Sequence, residues 1–426
     1  YLRRIGLTFS VIDTRDEPPG LADFQREFLD FPVFCGDIPA GLIESSSEVI
    51  VSPGVPLTDP VVIRAIESGT QVIGDIDLFV REAAAPVIGI TGSNAKSTVT
   101  EWVGQMARDS GINVAVGGNL GLPALDLLSP ECELYVLELS SFQLERAGPL
   151  NLAVATVLNI SADHLDRHGT MPLYHRAKHQ IFRGCSKAVV NRDDSLTRPL
   201  VADSVAILNW GMAAPDLGGF GLRSENGQEY LSREFDLLLP VAELGLRGRH
   251  NIANALASLA IGFGAGLPMA EMLGTLRNFK GLPHRCEWVA DIAGVAYVDD
   301  SKGTNIGATQ AALEGLGADQ DIVLIAGGRG KGADFTLLAP AVGRYCKHVV
   351  LIGEAAQDMF ESFSGSVETV IASSMIDAVG LARNVAEAGD TVLLSPACAS
   401  FDMFSGYEER GQKFVSAVAA LSGGSS

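Results

Sequence analysis

The sequence predicts an α/β protein of three domains, and three observations carry that expectation. Short apolar, strand-like runs alternate with helical patterns almost from end to end, the signature of largely parallel sheets. The chain has 426 residues, too many for one ordinary core, so two or three domains are natural. Its composition, 47% hydrophobic and 19% charged, describes a globular protein with a large interior.

The same numbers exclude several classes of function. A net charge of −20 opposes nucleic-acid binding, which needs a basic face, yet leaves room for a small anion held by local cations. No apolar run approaches the ~18–20 residues that span a bilayer. Tyr1-Leu-Arg-Arg4 is followed within a few residues by the strand-like run Leu7 to Ile12, which is no secretory signal. The six cysteines lie far apart without a Cys-x-x-Cys pair, so free thiols in a reducing, cytoplasmic setting are expected, not disulfides or zinc.

The first block runs to about Asp75 and carries a strand at Phe9–Asp13 and a strand-and-turn at Glu48–Gly54. A nucleotide-type α/β domain opens with strand, glycine turn and helix, and here roughly twenty residues of that half-unit are expected to be missing. The second block begins near Pro86, with strands at Val87–Thr91, Leu134–Glu138, Ala153–Ile160 and Ala188–Val190. Glu225-Asn-Gly227 between strand formers predicts a hairpin. The third block starts near Gly281, with strands at Ile322–Ala326, His348–Ile352, Thr369–Ile371 and Thr391–Ser395. The terminal Gly423-Gly-Ser-Ser426 reads as a disordered end.

Thr91-Gly-Ser-Asn-Ala-Lys-Ser-Thr98 joins a buried strand to an amphipathic helix. Backbone N–H groups and the helix dipole converge there on an anion. Lys96, expected on an exposed loop, can reach the β/γ-phosphates, and Ser97 can offer a hydroxyl to Mg²⁺. The spacing departs from the strict Walker pattern, with Ile90 where its first glycine belongs and Ala95 before the lysine. Glu138 ends an apolar strand and so points into the crevice where a metal-holding carboxylate sits. Asp163-His164 follows the next strand, where a histidine is more often a polar loop residue than a ligand. Lys178 shares a helix face with Tyr174, Ala177, Ile181 and Phe182. Turned inward it would be held neutral and able to form a carbamate with CO₂, although periodicity alone favours a lysine that snorkels outward.

These residues resemble the Mur ligases, which build the peptide stem of cell-wall precursors. The similarity is carried by the loop itself and by Gly117-Gly-Asn-Leu-Gly121, Leu137-Glu-Leu-Ser-Ser-Phe-Gln143, Asn159–Arg167 and Tyr174-His-Arg-Ala-Lys178. It continues through Gly248-Arg-His-Asn251 with Asn254, Gly281-Leu-Pro-His-Arg285, Asp300-Ser-Lys302, Gly327–Asp334 and Ser395–Phe404. The last motif, with Leu-Glu-Leu-Ser-Ser-Phe-Gln, is similar to the branch that adds D-glutamate to UDP-N-acetylmuramoyl-L-alanine.

The resemblance implies Rossmann-like N-terminal (1–75, truncated) and C-terminal (282–426) domains flanking a central P-loop ATPase domain (76–281). It implies an ATP-dependent amide ligase working through an acyl phosphate, with two Mg²⁺ ions and a carbamylated lysine. Gly92, Ser93, Asn94, Ala95, Lys96, Ser97 and Thr98 would cradle the phosphates, and Asn254, Arg285 and Asp300 would bind the rest of the nucleotide. Ser97 and Glu138 would hold the first metal, and His164 and carbamylated Lys178 the second. Asp13, Thr14, Arg15, Ser52, Pro53 and Gly54 would hold the UDP, and Asn119 the muramoyl group. Lys302, Thr304, Lys331, Ser400 and Phe401 would form the D-glutamate pocket. A monomer with no nucleic-acid or membrane partner is expected.

This chain departs from the family pattern at Ala95, Gly303, Arg329, Phe401 and Tyr407. Other readings stay open at this point: an amide ligase for a different amino acid or a folate tail, an ATP-driven regulator or motor, or an inactive nucleotide-binding relic.

Overall fold

The computed structural model describes residues 1–246 and 248–423. At its centre is a nine-stranded sheet, whose middle strand Val87–Thr91 lies between Leu134–Glu138 and Val154–Val157. Val114–Gly118 closes one edge, and Lys187–Asn191, Ala206–Trp210, Phe220–Glu225, Gln228–Arg233 and Asp236–Pro240 extend the other. Pairing is parallel from Val114–Gly118 to Phe220–Glu225 and antiparallel in the final hairpins. The expected Asn226-Gly227 turn is there, both residues at positive φ of 53° and 80°, the twist a two-residue hairpin needs.

Parallel strands must be covered on both faces, and these are. Helices Lys96–Asp109, Arg249–Ala265 and Met269–Asn278 pack Trp102, Met106, Leu256 and Met272 on one side. On the other side Phe79, Leu144, Tyr174 and Ile181 cover Tyr135, Leu137 and Ala155.

A second sheet of six strands runs Glu287–Ile292, Val295–Asp299, Thr391–Leu394, Ile322–Gly327, Cys346–Ile352, Glu368–Ile371. All but the first pair are parallel, and both faces carry buried clusters. The first 75 residues hold two small parallel pairs, Val11–Asp13 with Val33–Cys35 and Glu48–Ile50 with Gln71–Ile73. The protein is therefore α/β, with smaller parallel units flanking the central sheet. Among the described residues no helix is long and apolar enough to cross a membrane.

Two boundaries differ from expectation in ways that shape the site. The strand expected at Ala153–Ile160 stops at Val157. Beyond it Asn159 turns its side chain to the phosphate loop, accepting from the Asn94 N–H at 2.8 Å, and the Ile160 N–H donates to Asp194 at 2.8 Å. Asp163 and His164 thus sit in a loop, with His164 heading the short helix Leu165–His168. The helix carrying Lys178 spans Met171–His179 and tightens into a 3₁₀ turn at Gln180–Phe182.

Candidate active site

Val87–Thr91 is buried along its length and delivers the chain into Gly92. A Cβ on Gly92 would lie 3.1 Å from that of Leu158 and 3.3 Å from the Asn94 carbonyl, so any larger residue would push these neighbours by a few tenths of an ångström. Ala95 adopts the left-handed region (φ 66°), and the helix starts at Lys96. Lys96 is half-buried and not on an open loop; its Nζ donates to the carbonyls of Gly92 and Ser93, both at 2.9 Å. Burial lowers its pKa, against the opposing pull of Glu138 and Asp163.

Glu138 ends its strand buried, with both oxygens engaged. One accepts from the Ser97 hydroxyl at 2.5 Å and the other from the Asn119 amide at 2.7 Å. Arg285, from beyond the central sheet, donates to the same Ser97 oxygen at 2.5 Å. A hydroxyl and a buried carboxylate beside a phosphate-type loop are hard oxygen donors, the set that suits Mg²⁺.

Lys178 points inward, contrary to the outward reading that periodicity favours. It is 2% exposed, its Nζ donates to the Gly92 carbonyl at 2.7 Å, and it lies 4.7 Å from the Tyr174 ring centre. Burial, then the charge of Lys96, holds its pKa well below the ordinary lysine value. A buried amine whose charged form is disfavoured, and which opens on the cleft, is chemically suited to take up CO₂ as a carbamate. Burial likewise lowers the pKa of His164, whose ring meets Phe142 edge-on at 4.9 Å. Burial alone would raise the neighbouring Asp163, but the surrounding His164, Lys331 and Lys96 outweigh it and lower its pKa.

Across the cleft, burial pushes Asp300 up to about 7, even though it accepts from the Ser395 hydroxyl at 2.7 Å. A Cβ on Gly303 would lie 2.6 Å from the same carboxylate and 2.8 Å from the Ser395 hydroxyl, so both side chains would have to shift to admit alanine there. Lys302 sits 3.7 Å above the Tyr407 ring, and burial draws its pKa down to about 8.

These groups open on one cleft of about 590 Å³ between the two large sheets. Ser93 to Thr98, Asn119, Glu138, His164, Lys178, Asn254, Arg285, Asp300, Lys302 and Thr304 all line it. Gly92 is buried and does not line it. Lys331 stands outside the lining but reaches Asp163 at 3.2 Å. Ser400 is 2% exposed and Phe401, 69% exposed, faces solvent; neither joins the cleft. The N-terminal set is separate as well: Arg15 grips Asp13 at 2.7 Å beside exposed Thr14, and Ser52, Pro53 and Gly54 form a loop after Glu48–Ile50.

Two residues without an assigned role also belong to the site. Asn305 donates to Asn94 at 3.1 Å and to Asp163 at 3.2 Å, tying the far side of the cleft to the phosphate loop. Asp163 was legible as the partner of His164, whereas Asn305 needed the tertiary structure.

A phosphate-type loop opening on a cleft between two α/β units is the layout of a nucleotide-dependent enzyme. The chain belongs to the Mur ligase family. Residues 1–74 match "Mur ligase MurD-like, N-terminal domain", residues 90–262 "Mur ligase middle domain" and residues 284–398 "Mur ligase, glutamate ligase domain". It is 54% identical to the UDP-N-acetylmuramoylalanine–D-glutamate ligase of Pseudomonas aeruginosa over 99% of this chain and 94% of that one. The enzyme of the same name from Hahella chejuensis is 50% identical over 99% of this chain and 95% of its own length.

Solved structures share the fold at lower identity. A pseudomurein peptide ligase type C from Methanothermus fervidus superposes with a TM-score of 0.64 at 18% identity, covering 99% of this chain and 96% of its own. UDP-N-acetylmuramate-alanine ligase from Thermotoga maritima gives 0.59 at 19%, covering 99% and 95%.

Proposed function

We propose that this chain is an ATP-dependent ligase that joins D-glutamate to UDP-N-acetylmuramoyl-L-alanine in peptidoglycan precursor synthesis. The observation that carries this reading is the 50–54% identity to ligases of that name across nearly the whole chain. A carboxylate is a poor electrophile, and transfer of the γ-phosphoryl group converts its oxygen into a leaving group. The D-glutamate amine then attacks the acyl phosphate, and the tetrahedral adduct expels phosphate. Positioning and charge stabilisation supply the rate, without protein covalent chemistry.

In this reading Gly92 to Thr98 cradle the triphosphate, and Lys96 leaves its own loop carbonyls for the phosphate oxygens. Asn254, Arg285 and Asp300 hold the remainder of the nucleotide. Ser97 and Glu138 would hold one Mg²⁺, and His164 and carbamylated Lys178 a second. When bound, such ions neutralise phosphate charge and polarise the transferred group. Asn119 positions the muramoyl group; Asp13, Thr14, Arg15 and Ser52 to Gly54 hold the UDP. Lys302, Thr304, Lys331, Ser400 and Phe401 serve D-glutamate. Ser400 is buried and Phe401 exposed, both outside the cleft lining. Six free cysteines and an ATP-consuming reaction support a cytoplasmic setting. Mass analysis of products from UDP-N-acetylmuramoyl-L-alanine, D-glutamate, ATP and Mg²⁺ tests the reading; ATP hydrolysis without an amide product would sink it.

A further inference from the structure

The loop Val51–Val55 is held from below by two arginines of the central unit. Arg146 is wholly buried, yet its nearest carboxylate, Glu145, stands 3.9 Å away. Its guanidinium instead donates to four carbonyls of this loop: Val51 at 3.2 Å, Ser52 at 2.6 Å, Pro53 at 3.3 Å and Val55 at 2.8 Å. Arg167 donates to Gly54 at 2.9 Å and Val55 at 3.0 Å, and to Glu145 at 2.9 Å. A Cβ on Gly74 would come within 2.9 Å of the Arg146 stem, so the seat for this side chain depends on glycine there.

This arrangement gives the loop a polarity. In a planar trans peptide the carbonyl and the following N–H point oppositely. Carbonyls drawn down onto two cations therefore turn the Ser52 and Gly54 N–H groups outward, and among the described residues neither has a partner. Ser52 and Gly54 are themselves exposed. Outward N–H groups in a turn form an anion-binding concavity.

The arginines also lead back to the cleft through Phe142. Its carbonyl accepts from Arg146 at 3.1 Å, its ring lies 5.2 Å from the Arg167 guanidinium, and the His164 ring meets it at 4.9 Å. Both arginines sit on segments that carry cleft residues: Arg146 ends the helix after Glu138, and Arg167 lies in the helix headed by His164.

We propose that Arg146 and Arg167 are positioning residues that shape the Ser52–Val55 loop into the seat for the diphosphate of the sugar nucleotide, and that Phe142 links this seat to His164. The proposal rests on the function above for the identity of the diphosphate; the clamp itself does not. A loop so held presents its anion seat already formed, and displacing it should disturb the sugar nucleotide before it disturbs ATP.

The test uses the full chain with Arg146→Met, which keeps bulk and removes the donors, Arg146→Lys, and Arg167→Met. Hydrogen exchange of residues 51–55 is read without ligand, and KM for UDP-N-acetylmuramoyl-L-alanine and for ATP with it. Arg146→Met is expected to speed exchange in the loop and to raise the sugar-nucleotide KM about 10- to 100-fold, the scale of small misplacements, with ATP KM moving less than about threefold. Arg146→Lys should recover part of the loss, and Arg167→Met should also lower kcat through Phe142 and His164. If Arg146→Met does not fold, the partly exposed Arg167 carries the same test. Unchanged loop exchange would overturn the clamp. Equal rises in both KM values with a lower melting temperature would reduce the arginines to general stability. A wild-type protein inert toward the sugar nucleotide would defeat the proposed function, while the exchange result would still decide the clamp.

Discussion

Lys331 and Asp163, far apart in the chain, form an ion pair at 3.2 Å that spans the cleft between the two large sheets. Both partners are largely buried, and Asn305 donates to the other Asp163 oxygen at 3.2 Å. The cation proposed for the incoming amino acid is thus paired with a carboxylate of the opposite wall. A bound dicarboxylate would have to compete for it.

That pairing sharpens what replacement of Lys331 should do. A charge-assisted hydrogen bond to a carboxylate is worth roughly 1.5–3 kcal/mol, so Lys331→Ala should raise the KM for D-glutamate about 10- to 100-fold. Arg329 offers little substitute, being exposed with its backbone bridged to Ala399. ATP KM should shift far less, because Lys331 does not line the nucleotide cleft. Steady-state kinetics with each substrate varied separately checks this; an unaltered D-glutamate dependence would leave Lys331 as a cleft-closing residue alone.

Lys178 is predicted to trade stability for activity. Its folded pKa lies below its unfolded value, so between the two the unfolded chain holds a proton that the folded chain has released. Stability then rises with pH toward the ordinary lysine value and declines below it. Lys178→Met should melt higher than wild type at pH 7, by ~2–4 °C for each ~1 kcal/mol relieved, and show a shallower pH slope. Turnover should fall by ~10²-fold or more, the scale of losing a charge-stabilising group. Lys178→Ala should recover some activity with formate or acetate, which can occupy the positions of the carbamate oxygens. A fully active Lys178→Met enzyme would remove the residue from the mechanism.

Asp300 should produce the opposite pH dependence. Its folded pKa of about 7 lies above the unfolded 3.8, so between those values the folded chain keeps a proton that the unfolded chain loses. Stability from this group is complete below pH 4, declines as pH rises and is gone above pH 7. The difference of some three units corresponds to about 4 kcal/mol at ~1.4 kcal/mol per unit. Asp300→Asn should therefore gain on wild type in thermal melts at pH 8 and not at pH 5, while its ATP KM rises. Parallel melting curves at both pH values would show that Asp300 ionises as freely in the folded protein as in the unfolded one.

The parts of this molecule legible in its sequence are those written in local chemistry. Val87–Thr91 and Leu134–Glu138 are continuous apolar runs ending in functional groups, and Asn226-Gly227 announces its own turn. The hairpin Glu287–Asp299 escaped because its turn is Ala293-Gly294, with φ of 54° and 79°. That is the geometry of an Asn-Gly turn without the asparagine. Val33–Cys35 and Gln71–Ile73 are too short to carry a period, and Val114–Gly118 was readable only as part of a glycine motif. The inward face of Lys178 could be suspected from its helical neighbours, but its burial is a tertiary fact. Arg146 was the least visible: an arginine at a helix end reads as solvated, and only the backbone of a loop distant in sequence makes it a core residue.

Ala95 offers the last test, because the departure most easily seen in the sequence has a measurable geometry. It caps the helix at φ 66° and ψ −3°, the left-handed region. A Cβ-bearing residue held there loses ~1–2 kcal/mol to contact with the following carbonyl. Glycine removes that strain but adds ~0.4–1 kcal/mol of unfolded-chain entropy to be overcome. The balance favours Ala95→Gly by ~0.5–1 kcal/mol. Lys96 and the loop carbonyls it engages keep their positions, since the backbone already adopts the glycine-like conformation. Losing the methyl also lets phosphate approach the loop more closely, so ATP should bind at least as well. Thermal melts without nucleotide and titration with ATP read the two effects separately. A variant that melts lower than wild type would mean that the Ala95 methyl, packed against the helical layer of the central unit, stabilises more than its backbone strain costs.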